Sequence, residues 1–273
     1  MDGVPKLIVS DSKEHLPKHL NSAIVDCCVQ AIRERGVFTI ALSGGSLPSF
    51  LSSKMKEAFD SKSAEPNFSK WHVILADERC VPATNDNSNL KALKETLFSV
   101  IPLPKSQIYG INEELLAEST AEVAADYELT VRKVLSLSGG ELDLAVLGFG
   151  PDGHTCSLFP DHPILAETSM VASITDSPKP PPNRITLTLP VLNTMTRHVI
   201  FCGAGNSKAP ILQACFASIM KAFEVPDAKV YDVIVTKPPP YPCAMVEPST
   251  AEMTYNTLVW VVDADAVEGL HLP

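Results

Sequence analysis

Two hydrophobic periods alternate along the chain. From Glu14 to Arg35 the apolar residues Leu16, Leu20, Ala23, Ile24, Cys27 and Ala31 recur on one face of a predicted helix, with Gly36 as its stop. Val37–Leu42 is a short, continuously apolar run that reads as a strand, and Pro48 suits the first turn of a helix reaching about Phe59. His72–Ala76 and Leu142–Leu147 are further strand-type runs. Between them, the Ser119/Glu122 spacing is a capping box for a helix to about Leu137, closed by Gly139-Gly140. Gly148 to Pro163 is irregular; strands are predicted at Arg184–Leu189, His198–Cys202 and Leu258–Val262, with a helix over Ala209–Phe223. No unit of 20 to 50 residues repeats, which excludes a solenoid or propeller. Short apolar strands alternating with helices predict an α/β fold, an open, mostly parallel sheet with helices on both faces.

Ligands of such sheets lie beyond the carboxyl ends of the strands, so the residues just after each strand carry the candidate chemistry. Four clusters stand there: Ser43-Gly44-Gly45-Ser46, Asp77-Glu78-Arg79, Asp152-Gly153-His154, and the stretch from Gly203 to Lys208. SGGSLP between a strand and a helix has the makings of an anion cradle, since glycines let backbone N–H groups converge and the helix N-terminus adds positive charge. It also fits an ordinary strand-to-helix turn, and lacks Walker A spacing. Gly148-Phe149-Gly150-Pro151-Asp152-Gly153 formally matches GxGxxG, but Pro160 and Pro163 follow where a dinucleotide fingerprint opens into a helix, so NAD or FAD binding is rejected. Asp152, two residues before His154, can orient the imidazole and support its protonated form. A helix-capping Asp beside a surface His is the plainer alternative. Arg79, Arg184 and Lys208 are cations near strand ends, and with SGGS they can build a local positive field.

Charge and composition narrow the classes. With 22 basic and 32 acidic residues the 273-residue chain carries a formal charge of −10. No basic stripe of the kind nucleic-acid binding requires is visible, while a small anionic substrate needs only a few focused cations. The start, Met1 to Lys6, has no secretory pattern and no apolar run spans a membrane. Seven dispersed cysteines without a CxxC pair point to reduced thiols in a cytoplasmic protein rather than disulfides or zinc. SPKPPPN (177–183) and KPPPYP (237–242) read as loops inside the domain, not as SH3-type ligands, because apolar strands flank both. There is no GxSxG and no HExxH, and His15/His19 lack a partner set for a metal.

In this order the clusters resemble the 6-phosphogluconolactonase family, through ALSGGSLP (41–48), WHVILADERCVPATNDNSN (71–89), LDLAVLGFGPDGHTCSLFPDHP (142–163), TDSPKPPPNRITLTLPVLN (175–193), GNSK (205–208) and LVWVVD (258–263). The resemblance covers about residues 7 to 265 and is closest to eukaryotic cytosolic members. Leu47 stands where a Thr is frequent, and the region 218–242 is longer than usual. The resemblance implies one α/β domain over 1–273, Rossmann-like and related to glucosamine-6-phosphate deaminases, with no cofactor and no obligate protein partner. It implies hydrolysis of 6-phospho-D-glucono-1,5-lactone in the oxidative pentose phosphate pathway, with His154 as general base and Asp152 as its neighbour. Ser43, Gly44, Gly45, Ser46, Arg184 and Lys208 would hold the phosphate, and Arg79 would meet either the sugar-acid end or the phosphate. A deaminase of the same superfamily is disfavoured because DGHTCSLFP lacks the Glu of the deaminases' DGHI…NEP. A non-catalytic sugar-phosphate sensor is disfavoured by the retained Asp152 and His154.

Overall fold

A computed structural model describes residues 4–249 and 257–273; Met1 to Gly3, part of the N-terminal stretch read above, lie outside the described residues. In chain order, β1 (Lys6–Ser10), α1 (Leu16–Arg35), β2 (Phe38–Leu42), α2 (Leu47–Ser61) and β3 (Trp71–Leu75) come first. A short β4 (Asp77–Arg79), α3 (Asn89–Glu95), α4 (Leu97–Val100) and β5 (Ile108–Tyr109) lead to α5 (Thr120–Leu137) and β6 (Leu142–Gly148). β7 (Val171–Ile174), β8 (Arg184–Leu187), α6 (Leu189–Thr194) and β9 (Thr196–Gly203) follow, then α7 (Ala209–Cys215), β10 (Phe216–Val225), β11 (Ala228–Val235) and β12 (Thr257–Asp263).

Among the described residues nine strands form one sheet in the order β10-β11-β1-β12-β9-β6-β2-β3-β5. Every pairing from β1 through β5 is parallel, whereas β11 runs antiparallel to both β1 and β10. All five residues of β2 and all eight of β9 are buried, and both carry apolar runs without alternation, Ile40–Leu42 and Val199–Cys202, with the polar Thr39, Arg197 and His198 buried beside them. α1 and α2 connect strands stepping across the sheet in one direction, and α5 leads back in the other. Right-handed crossovers therefore set them on opposite faces. The chain proceeds from β2 to β3 on one side and from β6 to β9 on the other, so the boundary between β2 and β6 is the switch point. The loops after these two strands open a crevice there.

Ser119 caps α5 as expected: its Oγ accepts from the Glu122 N–H at 3.2 Å and donates to the Glu122 carboxylate at 3.0 Å, so Glu122 engages the capping hydroxyl. Asp77-Glu78-Arg79 is itself strand β4, in a second sheet ordered β4-β8-β7. One expectation is overturned. The helix predicted over Ala209–Phe223 stops at Cys215, and Phe216–Val225 is a strand paired along its length with β11. Backbone pairing to a neighbour in register outweighs the weak helical preference of residues 216–223. The region 218–242 is largely this edge hairpin, turned at Pro226-Asp227 with Asp227 at φ 66°. All seven cysteines are free thiols; Cys28, Cys156, Cys202, Cys215 and Cys243 are buried, and the sulfurs of Cys215 and Cys243 lie 4.0 Å apart. Among the described residues no helix is long and apolar enough to cross a membrane.

Candidate active site

β2 ends in Ser43, whose N–H donates to the Val146 carbonyl of β6 at 3.1 Å and ties the two switch-point strands together. Gly44 then passes so close to α3 that a Cβ there would lie 1.8 Å from Asn89 Oδ1, and Gly45 takes a left-handed φ of 69°. At these two positions the close approach and the turn both require glycine. Ser46 precedes α2 without capping it through its side chain, and no acidic residue stands in the first turn. The leading N–H groups of α2 therefore keep their positive polarity for a ligand. Leu47 is buried at the start of this helix.

β4 adds a second wall. The buried Glu78 carboxylate accepts from the N–H groups of Arg79, Asn89 and Leu90 and from Ser88 Oγ, fixing the start of α3 against the strand. Asp77 accepts from Ser157 Oγ at 2.8 Å, and its carbonyl from Asn89 Nδ2 at 2.8 Å. Antiparallel pairing of β4 with β8 sets Arg79 directly opposite Arg184. Like charges in that position repel, so the sheet tolerates a pair whose field serves something else. Burial, then the Arg79 charge, lowers the Arg184 pKa. Arg184 spends Nε on the Pro181 carbonyl and Nη2 on those of Lys179 and Pro180, at 2.8 to 2.9 Å. Arg79 donates through Nη1 to the Asn87 carbonyl at 2.7 Å, while its Nε is buried with no hydrogen-bond partner.

The third wall is the loop after β6. Gly150 N–H donates to the His154 carbonyl at 2.8 Å, and the Gly153 N–H to the Gly150 carbonyl at 3.0 Å, curling the chain so that Asp152 and His154 meet. A Cβ on Gly150 would fall 2.0 Å from His154 Nδ1, and one on Gly153, at φ 78°, within 2.4 Å of the Tyr241 ring. His154 lies against Phe159, ring centroids 5.0 Å apart. Its Nδ1 is 2.5 Å from Asp152 Oδ1. With Nδ1–H donating to the carboxylate, Nε2 keeps its lone pair. Burial lowers the His154 pKa, with Asp152 opposing. Burial also resists ionisation of Asp152, but hydrogen bonds from His154 and Lys179 hold its carboxyl down to about 2. Lys208 donates to the Phe149 carbonyl, and burial lowers its pKa.

These walls enclose a cleft of about 260 Å³ lined by Ser43 to Leu47, Arg79, His154, Arg184 and Lys208, among others. Of the residues read from sequence, Asp152 alone does not line the cleft and reaches it through His154. Sequence reasoning missed three contributors. Asn89 underlies the glycine loop, Tyr241 packs on Gly153, and Lys179 contacts Asp152 and His154. For Lys179 the one available signal was a cation inside a proline run that ends at Arg184.

Fold and cleft define an open-sheet α/β protein with a cation-lined crevice at its switch point and a carboxylate-held histidine facing into it. The chain belongs to the family described as Glucosamine-6-phosphate isomerases/6-phosphogluconolactonase, whose model matches residues 11–255. It is 39% identical over 251 residues to the 6-phosphogluconolactonase of Homo sapiens, a match covering 90% of this chain and 85% of that protein. It is 40% identical over 221 residues to probable 6-phosphogluconolactonase 3, chloroplastic, of Oryza sativa; that match spans 77% of this chain and 65% of the relative's length. The solved 6-phosphogluconolactonase of Thermotoga maritima superposes with a TM-score of 0.72 at 25% identity, over 95% of this chain and 99% of that one. The Trypanosoma cruzi structure gives a TM-score of 0.73 at 23% identity over 99% and 98%, a likeness of fold.

Proposed function

We propose that the chain is a hydrolase that opens 6-phospho-D-glucono-1,5-lactone to 6-phosphogluconate, the second step of the oxidative pentose phosphate pathway. The observation that carries this reading is the juxtaposition of a neutral, carboxylate-held imidazole with two opposed guanidinium groups in one small cleft. Family membership and relatives named 6-phosphogluconolactonase support it. His154 Nε2 takes a proton from a water as the water oxygen bonds to C1 of the lactone. Arg79 and loop N–H groups stabilise the tetrahedral oxyanion. As the bond from C1 to the ring oxygen breaks, the imidazolium returns its proton to that oxygen, and the enzyme is restored. A lactone is an activated ester, so neither a covalent intermediate nor a cofactor is required. Ser43 to Ser46, Lys208 and the Nη1 edge of Arg184 hold the phosphate, and Asp152 orients His154. The free thiols favour a reducing compartment, the cytoplasm, and one continuous cluster of buried apolar side chains among the described residues supports reading 1–273 as one domain. The test is acid release from freshly made lactone. Purified protein should exceed the spontaneous rate by orders of magnitude, and a rate equal to the buffer's would overturn the assignment.

A further inference from the structure

The proline-rich loop 177–183 is built to deliver one side chain to the imidazole. Arg184 fastens the carbonyls of Lys179, Pro180 and Pro181, Ser177 Oγ donates to the Lys179 carbonyl at 2.8 Å, and the Ser177 N–H donates to the Pro182 carbonyl at 3.3 Å. From this fixed backbone Lys179 Nζ reaches 3.0 Å from Asp152 Oδ2 and 3.1 Å from His154 Nδ1. An ammonium only donates and an ionised carboxylate only accepts. Asp152 therefore divides its oxygens, Oδ1 to the imidazole and Oδ2 to the ammonium. Because Nδ1 already carries the proton shared with Oδ1, the ammonium beside it meets a group of its own polarity.

We infer that Lys179 is a positioning residue that completes a three-member constellation with Asp152 and His154, locking the carboxylate's orientation and keeping the imidazole neutral by its fixed charge. As a statement about catalysis this rests on the hydrolytic reading above. The charged groups around His154 divide by sign. Asp152 on its own loop and Asp77 on β4 favour the imidazolium, and Lys179 opposes it. Arg184, over the Phe159 ring that backs the imidazole at 5.7 Å, and Lys208, whose charge interacts with those of both Lys179 and Asp152, complete the surroundings. Removing the Lys179 charge acts on His154 twice with the same sign. The repulsion goes, and Asp152, no longer shared, supports the imidazolium more strongly.

The experiment is a histidine titration by NMR on isotope-labelled protein, with His154 assigned by its loss in His154→Gln, beside kcat/KM for the lactone against pH. In Lys179→Met the His154 midpoint should rise by about one pH unit, the size expected for one close charge. The acid limb of kcat/KM should move with it. Lys179→Arg should leave both in place, and Lys179→Gln should behave as Met does and serves if Lys179→Met does not fold. A role confined to holding the loop would reduce turnover in the Met variant and leave the midpoint where it is in wild type, which overturns the proposal. A midpoint that moves in a protein that never accelerates lactone opening would instead remove the hydrolytic reading and leave the constellation standing.

Discussion

His154 combines a hydrophobic backing with a carboxylate that stays ionised down to about pH 2. Its pKa lies below the ordinary value, burial being the main cause, so as pH falls the imidazole stays neutral after a free histidine, near 6.5, has taken up its proton. The acid limb of kcat/KM should accordingly fall below pH 6.5. By the same linkage, His154 subtracts stability as pH falls through 6.5, while Asp152 contributes stability above the ordinary carboxyl pKa that is lost as pH falls toward 2. With His154 as the base proposed above, His154→Ala should lose about 10² to 10⁴ in rate with the fold intact, and Asp152→Asn should lose less if Asp152 only orients the imidazole. Steady-state rates with circular dichroism check both, and equal losses would mean the roles are not divided this way. His154 and Asp152 were legible because they sit two residues apart in one glycine-flanked loop. Lys179 and the opposition of Arg79 to Arg184 were not, since the first depends on how a proline-rich loop is fastened by Arg184 and the second on the register of β4 against β8.

Elements whose ends carry their own chemistry were read closely. α1 stops at Gly36 and α5 starts after Ser119, because a left-handed glycine and a capping hydroxyl are local signals. Ser119→Ala should cost about 1 kcal/mol in urea unfolding through loss of the cap, without altering activity, since α5 begins outside the cleft. β10 was misread because its ten residues carry no strong strand alternation, and what makes them a strand is β11, which the local sequence does not display. The central strands β2, β3, β6, β9 and β12 escaped this ambiguity, because near-complete burial gave each an apolar run. β1 and β5, parallel but only partly buried, were not read as strands.

Across the whole molecule, a formal charge of −10 surrounds a cleft holding Arg79, Arg184 and Lys208. On the function proposed above, a dianionic substrate would be repelled by the surface and attracted by the crevice, and the cations would have to confer selectivity at short range. Glucono-1,5-lactone without its phosphate should be a poor substrate, because remote binding energy also positions the carbonyl against His154. Lys208→Ala should harm the phosphorylated lactone selectively, by about 1 to 3 kcal/mol in kcat/KM, and equal slowing of both lactones would count against a phosphate site. The buried thiols have a different consequence. Cys28, Cys202 and Cys243 are held in separate parts of one core, with pKa values raised at Cys28 and Cys202 by burial and at Cys243 by the neighbouring Cys215 first and burial second. Cys28 and Cys243, fully buried, should be silent to an alkylating reagent until their surroundings open, and Cys202, in the cleft wall, nearly so. The chain thus carries built-in reporters of local breathing, and mass spectra taken during slow alkylation should give a separate opening rate for α1, the β9 edge of the cleft and the segment beyond Tyr241.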